Sequence, residues 1–318
     1  MSLTSNGSSK NTKKRKLRLM CLDLTSEIPD WDNEENHRKK YELSDIKDHC
    51  QIEINNEIIS FHPNDLNYLD KLGEGTFGFV YLVQIANHSN YQFACKKINL
   101  EYDGYEYFTS QSDLKAMKLV GKDDNSYIVK YYGALIDDGQ LILLMEYLPT
   151  SLDLFYPILH HKFPPTQFQL NQFIKRLTKH IVSALNYLKS KSLIHRDVKP
   201  QNILISSKSI FKLCDFGICG VLNDSISSTH LGSIRYLPPE RLGSNCPYGT
   251  RSDMWALGMT LLETSQGYPS LSSEPILSFM SLIKNGWQPD IPLILNEQLR
   301  DLISRLLRHD KKMQVKMN

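Results

Sequence analysis

Apolar positions are sparse over the first fifty residues and dense after them. Residues 1–12 are rich in Ser, Asn, Thr and Gly, a composition that cannot bury enough surface to fold, so 1–25 reads as a disordered tail. Residues 26–59, which open on a highly charged stretch with few apolar anchors, read as a linker. From about residue 60 the pattern tightens. "NYLDKLGEGTFGFVYLVQI" and "YQFACKKINL" look like strands around a glycine-rich turn, and "YIVKYYGAL" and "LILLMEYL" are two further strand candidates. After Pro149 the period lengthens. Phe173, Ile174, Leu177, Ile181, Leu185 and Leu188 recur at helical spacing, and Leu299, Leu302, Ile303, Leu306 and Leu307 mark another amphipathic helix. A strand-rich part over about 60–148 followed by a helix-rich part over about 149–318 predicts an α+β chain of two lobes with a cleft between them.

A length of 318 residues allows a large core. The net charge of +2 says nothing in favour of nucleic acid. Its distribution is uneven: Lys10, Lys13, Lys14, Arg15, Lys16 and Arg18 stand in the first twenty residues without an acid among them. The six cysteines form no CxxC pair, which argues against a disulfide framework or a zinc site and for a reducing compartment. No apolar run reaches membrane-spanning length, and the start of the chain lacks the apolar stretch of a secretory signal.

Four stretches carry chemistry. "LGEGTFGFV" sets Gly73, Gly75 and Gly78 in a GxGxxG frame, where bare backbone can approach phosphate oxygens. The frame also serves dinucleotide folds, but here a strand follows it, not a helix. "FACKK" puts Ala94 and Lys96 on one face of a strand by alternation, fitting a small residue facing a base and a cation facing phosphates; a solvent-facing lysine is the plain alternative. "LIHRDVKPQNILI" crowds His195, Arg196, Asp197, Lys199 and Asn202 between apolar runs, and "CDFG" adds Asp215. Asn202 and Asp215 are oxygen ligands of the hard type that Mg²⁺ prefers.

In this order, with "PPE" and "SDMWALG" after them, the motifs resemble those of the protein kinases over roughly residues 66–310. The resemblance implies a bilobal kinase fold, with a small β-rich N-lobe and a larger α-helical C-lobe, and ATP and Mg²⁺ as cofactors. Asp197 would accept the proton of the attacking hydroxyl and Lys199 would neutralise charge on the transferred phosphoryl. Asn202 and Asp215 would hold Mg²⁺, and Lys96 the α- and β-phosphates. Leu72, Val80 and Ala94 would roof the adenine and Leu204 floor it. Met145 resembles a gatekeeper, with backbone groups of Glu146 and Leu148 at the adenine edge. These apolar residues can equally be plain core. His195 is expected to be structural, and Asp253 a brace for the catalytic loop.

"KLCDFGICG", "YYGAL", "TSLDLFY", "LNDSISST" and "YLPPERL" are similar to the MAP kinase kinases, dual-specificity enzymes acting on Thr and Tyr of MAP kinase activation loops. "TSLDLFY" and "DSISST" most resemble the stress-activated branch. There Asp113 would take the place of the usual Glu that pairs with Lys96. Ser225 and Thr229 match the two phosphorylation positions, with Ser227 and Ser228 beside them and Arg196 as the receiving cation. Ser233 would contact Asp197 and Lys199. "KKRKLRLMCLDL" resembles a MAP kinase docking motif, Lys13, Lys14, Arg15 and Lys16 meeting an acidic patch and Leu17 and Leu19 filling pockets; a nuclear-localisation cluster and a solvated tail are the other readings. The partners implied are a stress-activated MAP kinase and an upstream kinase, with no nucleic acid and no membrane. The implied location is cytoplasmic, with nuclear entry left open.

Two features depart from the family pattern. "RHDKKMQVKMN" puts Gln314 where an Arg usually pairs with the Glu of P-P-E, and the final helix is not in the sequence, so Glu240 is expected either to lack its partner or to find another such as Arg235. Cys219 replaces a Ser, and Cys214 before Asp215 reads as a buried inert thiol. The alternatives to an active dual-specificity kinase are a kinase-like docking module and a Ser/Thr kinase of another branch.

Overall fold

The computed structural model describes residues 20–22, 46–47, 49–75, 78–99, 120, 125–215, 220–221, 233–242, 249–271 and 273–308. Its first lobe is a seven-stranded sheet. In chain order the strands are β1 (Met20–Leu22), β2 (Ile46–Lys47), β5 (Leu66–Gly75), β6 (Gly78–Ile85), β7 (His88–Asn99), β8 (Tyr131–Asp137) and β9 (Gln140–Glu146). They lie side by side as β2-β1-β8-β9-β7-β6-β5, every pair antiparallel. A hairpin of β3 (Cys50–Ile54) and β4 (Glu57–Phe61) packs on β8.

The hairpin and β1 correct two sequence expectations. The linker assigned to 26–59 ends early, because Cys50, Ile52, Ile59 and Phe61 alternate inward and are buried with Val83, Phe93, Leu135 and Leu144. Its turn is Asn55-Asn56, both at positive φ (52° and 65°), the two-residue geometry that matches strand twist. The tail assigned to 1–25 is held at Met20–Leu22, where the open edge of β8 offers backbone partners to Cys21 and Leu22.

The second lobe is helical: α1 (Leu152–Lys162), α2 (Gln167–Ser190), α3 (Thr250–Gln266), α4 (Ile276–Lys284) and α5 (Glu297–Leu306). Thr166 caps α2 through Gln169 N–H, with the Gln169 side chain returning to Thr166 N–H, and Asn296 caps α5. The stripe read from the sequence, Ile174, Leu177, Ile181, Leu185 and Leu188, is the buried face of α2. Helix α3 is buried almost all round and packs between α2 and α5. Short strands β10 (Thr150–Ser151), β12 (Ile203–Ile205) and β13 (Phe211–Leu213) form a second sheet, and β11 (Leu193–Ile194) pairs with β14 (Gly220–Val221). Among the described residues no helix is long and apolar enough to cross a membrane.

Candidate functional site

The glycine-rich turn joins β5 to β6, with Gly73 opposite Val80 and Gly75 opposite Gly78. Gly78 has φ +147°, and a Cβ there would lie 1.7 Å from the Lys97 carbonyl oxygen, so only glycine fits. Across the sheet Val80 pairs with Lys96, and Ala94 with Met145. Ala94, Met145 and Leu148 belong to the large apolar core, and Val80 and Leu204 pack against it half-buried, which is also what plain core residues do. Leu72 stands 41 % exposed on β5. The Glu146 N–H donates to Lys130 O (2.8 Å), so the backbone group Glu146 has left to offer a ligand is its carbonyl.

Lys96 is buried at 7 % exposure, and its Nζ lies 2.7 Å from Asp215 Oδ1. Burial pushes the Asp215 carboxyl up, but the Lys96 ammonium, with Lys199 and His195 beside it, overrides this and leaves it at about 2. On the facing loop, Lys199 Nζ lies 2.6 Å from Asp197 Oδ2. Asn202 Nδ2 donates to the same oxygen and to the Asp197 carbonyl, both at 2.8 Å. Asp197 Oδ1 has no partner among the described residues. The Cys214 N–H donates to Asn202 O (2.9 Å), which ties the loop to the strand leading into Asp215. Lys96, Asp197, Lys199, Asn202 and Asp215, spread over 120 positions of sequence, thus meet in one place.

Behind them Asp253, at the start of α3, accepts the N–H groups of His195 (2.9 Å) and Arg196 (2.8 Å). This is the brace expected of Asp253. Burial pushes its carboxyl up to about 7 against the pull of those two donors. His195 is fully buried. Its Nε2 contacts Cys214 O (3.0 Å) and its Nδ1 accepts from Asp197 N–H (3.3 Å), which assigns the proton to Nε2. Desolvation lowers its pKa although Asp197 and Asp215 pull the other way, so the ring is neutral and structural. Arg196 (φ 70°) and Asp215 (φ 63°) both hold left-handed backbone, a strained state typical of functional sites. The Cys214 thiol is buried and its pKa raised by burial, the inert state expected.

The residues present fit a magnesium–nucleotide. Because Asn202 Nδ2 donates to Asp197 twice, its amide oxygen is the atom left for a cation, and Asp215 supplies a carboxylate. Among the described residues no three His, Cys, Asp or Glu side chains are grouped so as to hold a metal ion by themselves. Two protein oxygens completed by phosphates and water are the Mg²⁺ arrangement, not that of zinc.

One expectation is corrected. Arg235 does not serve Glu240: its guanidinium donates to Leu271 O and Glu274 O and lies over the Phe279 ring at 5.5 Å. Asp113, Ser225, Ser227, Ser228, Thr229, Cys219, Gln314 and the docking residues Lys13, Lys14, Arg15, Lys16, Leu17 and Leu19 lie outside the described residues. Two contacts had no signal in the sequence. Lys212 Nζ lies 3.0 and 2.7 Å from the two carboxylate oxygens of Glu146, and Glu263 accepts from two tyrosines. Their partners are brought together only by the fold.

A family model described as "Protein kinase domain" matches residues 66–317. The dual specificity mitogen-activated protein kinase kinase sek-1 of Caenorhabditis elegans is 34 % identical over 228 residues, 70 % of this chain and 66 % of that protein. MAP kinase kinase mkk-4 of the same organism is 35 % identical over 240 residues, 73 % of this chain and 64 % of that protein. MAP kinase kinase PBS2 of Saccharomyces cerevisiae is 35 % identical over 239 residues, 72 % of this chain and 35 % of that protein. The chain therefore spans between about a third and two thirds of the length of these curated relatives.

Proposed function

The chain belongs to the protein kinase family, whose chemistry is ATP-dependent phosphotransfer, and from that premise we propose that it is a dual-specificity MAP kinase kinase, transferring the ATP γ-phosphate to Thr and Tyr in the activation loop of a MAP kinase. One observation carries the reading: the convergence of Lys96 and Asp215 at 2.7 Å with the Asp197–Lys199–Asn202 cluster. The names of the relatives supply the substrate class.

Lys96 and Lys199 are cations for phosphate oxygens, reached from opposite walls of the cleft. Asn202 and Asp215 hold Mg²⁺, which when bound neutralises charge on the phosphates. Asp197 has one oxygen fixed by Lys199 and Asn202, which leaves Oδ1 to accept the proton of the substrate hydroxyl. Positioning and charge stabilisation supply the catalysis, with no covalent intermediate. Phosphorylation by an upstream kinase at Ser225 and Thr229, met by Arg196, switches the enzyme on. Residues 13–19 dock the MAP kinase, one of the stress-activated type, through cations and two leucines. The protein acts in the cytoplasm, and its basic cluster is compatible with nuclear entry.

The test is incubation with ATP, Mg²⁺ and inactive MAP kinases, read by site-specific phosphorylation. Both Thr and Tyr of the activation loop should be labelled, and Asp197→Asn should lose roughly 10²- to 10⁴-fold. Labelling of Ser and Thr alone would move the chain to another branch, and a fully active Asp197→Asn would remove the assigned base. Deleting residues 10–19 should weaken MAP kinase phosphorylation, increasingly so at low salt, and spare a short generic peptide.

A further inference from the structure

Strand β1 comes from the start of the chain, yet it lies inside the sheet, with β8 on one side and β2 on the other. Met20, Cys21 and Leu22 stand opposite Ile136, Leu135 and Ala134 of β8, and Cys21 and Leu22 also stand opposite Lys47 and Ile46 of β2. The two walls of this slot are fixed without β1. Ala134 and Ile136 are buried in one apolar cluster and Leu135 in the other. Strand β2 leads into the β3–β4 hairpin, which packs on β8 so closely that a Cβ at Gly133 would lie 2.4 Å from Cys50 Sγ. With β1 withdrawn, β8 and β2 would stand two strand spacings apart, roughly 9–10 Å, each with a row of unpaired backbone groups.

The direction of β1 matters as much as its place. Strand β8 starts beside the lobe junction, where the Val129 N–H donates to Leu213 O (3.0 Å). Met20 pairs towards its other end, at Ile136, roughly 20 Å further along. Asp137 and Asp138 follow there, at the turn into β9. The chain therefore enters the slot on the side away from the cleft, past two carboxylates. Leu19, assigned above to a pocket of the MAP kinase, is one peptide unit from Met20, about 3.8 Å between Cα atoms. A groove of another protein that enclosed Leu19 would need the space that the end of β8 fills beside Met20.

We propose that the slot between β8 and β2 is a receptor for this chain's own docking segment, so that pairing at 20–22 and docking to a MAP kinase through 13–19 exclude one another. This regulation rests on the docking reading above. An extended segment joining a sheet edge is a general mode of peptide recognition. Asp137 and Asp138 stand at the entrance as an acidic patch, and Lys13, Lys14, Arg15, Lys16 and Arg18 precede Met20 in the sequence. A ladder of three residues gives up few hydrogen bonds when it opens. The MAP kinase binds the fraction of chains whose strand has left the slot, and its apparent affinity is reduced by that fraction.

The register supplies the test. Cys21 stands opposite Lys47, and cross-strand Cα distances of about 4.5–5.5 Å suit a disulfide. Lys47→Cys in the full chain should be oxidised by glutathione disulfide to a bridge with Cys21, located by mass spectrometry. In the bridged form, affinity for an inactive MAP kinase, read by calorimetric titration, should fall roughly tenfold or more and return with dithiothreitol. Wild type treated alike should not change. Ile46→Pro with Lys47→Pro, which takes both amide donors from β2, should bind roughly three- to tenfold more tightly than wild type. Phosphorylation of a short generic peptide should be equal in all forms, which shows that the catalytic lobes are intact. Full affinity in the bridged form, failure of the bridge to form in the folded chain, or a proline variant no tighter than wild type overturns the masking. A synthetic peptide of residues 10–22 separates the two readings. If it binds no MAP kinase, the docking assignment itself has failed; if it binds while the bridged chain docks as well as wild type, only the masking has.

Discussion

Lys96 Nζ lies 2.7 Å from Asp215 Oδ1, an ion pair between residues 119 positions apart, and it joins the sheet of the first lobe to the segment leaving β13 in the second. The pair keeps Asp215 ionised far below neutrality and points both groups at the place where phosphate oxygens and a cation would sit. The ammonium is the buried member, 9 % exposed against 37 % for the Asp215 carboxylate, so an unpaired Lys96 would be costly while an unpaired Asp215 would keep part of its hydration.

Removing the ammonium should therefore disable the site without unfolding the chain. Lys96→Met is expected to lower phosphotransfer by roughly 10²- to 10³-fold, the cost typical of losing one preorganised charge-stabilising donor. It should also raise the Asp215 pKa from about 2 towards the ordinary carboxylate value. Single-turnover phosphorylation and the ¹³C-detected titration of the Asp215 carboxyl read the two effects separately. An unchanged Asp215 titration would show that the salt bridge is not what holds the proton off.

A second consequence concerns pH. Desolvation holds His195 below the ordinary imidazole value. The folded chain then binds fewer protons than the unfolded chain as pH falls below about 6.5, so the stability His195 contributes is complete above that value and is lost below it, by at most ~1.4 kcal/mol per pH unit. Asp253, pushed up to about 7, works in reverse: the folded chain retains a proton the unfolded chain has released, and its share of stability declines as pH rises from about 4 to 7. The difference between wild type and His195→Gln isolates the first effect. That gap, measured by denaturant unfolding, should narrow from pH 7.5 to pH 5.5. A constant gap would mean that the ring titrates alike in both states.

The motifs around Asp197 and Asp215 were legible because charged residues between apolar runs are rare enough to stand out, and the resemblance then assigned them roles. Helix α2 was legible because its stripe repeats over many turns. The hairpin Cys50–Phe61 was overlooked although it carried a signal. Asn55-Asn56 between Ile52 and Ile59 is a two-residue turn, but each strand is five residues long and the stretch lies beside a charged segment. The Glu263 and Glu146 contacts were not legible at all. Tyr156 and Glu263 are 107 positions apart, Glu146 and Lys212 are 66 apart, and no local spacing encodes such pairs.

The hairpin makes a prediction of its own. Phe61 and Ile59 are each 1 % exposed and lie under the sheet with Leu135 and Leu144. Phe61→Ala should cost about 3–5 kcal/mol, as deletion of a buried aromatic ring does. Urea unfolding gives the number. A loss below about 1 kcal/mol, the level of a surface change, would return 50–61 to the status of a linker.

The Glu146–Lys212 pair ties the connection between the lobes to the strand that leads to Asp215. Both oxygens of Glu146 face Lys212 Nζ, at 3.0 and 2.7 Å, and one also accepts the Lys130 N–H at 3.2 Å. The side chains are 25 % and 14 % exposed, so the pair sits between the surface limit, worth about 0–1 kcal/mol, and the buried limit, where breaking one partner costs about 3–5 kcal/mol. Lys212→Met should thus destabilise by about 1–3 kcal/mol, mainly by leaving a half-buried carboxylate with one backbone donor. Adding Glu146→Gln should restore part of the loss, because the amide needs no counter-charge. Denaturation midpoints of the two single variants and the double variant form the cycle. If the double variant loses as much as the sum of the singles, the two side chains act independently and the contact does not brace the junction.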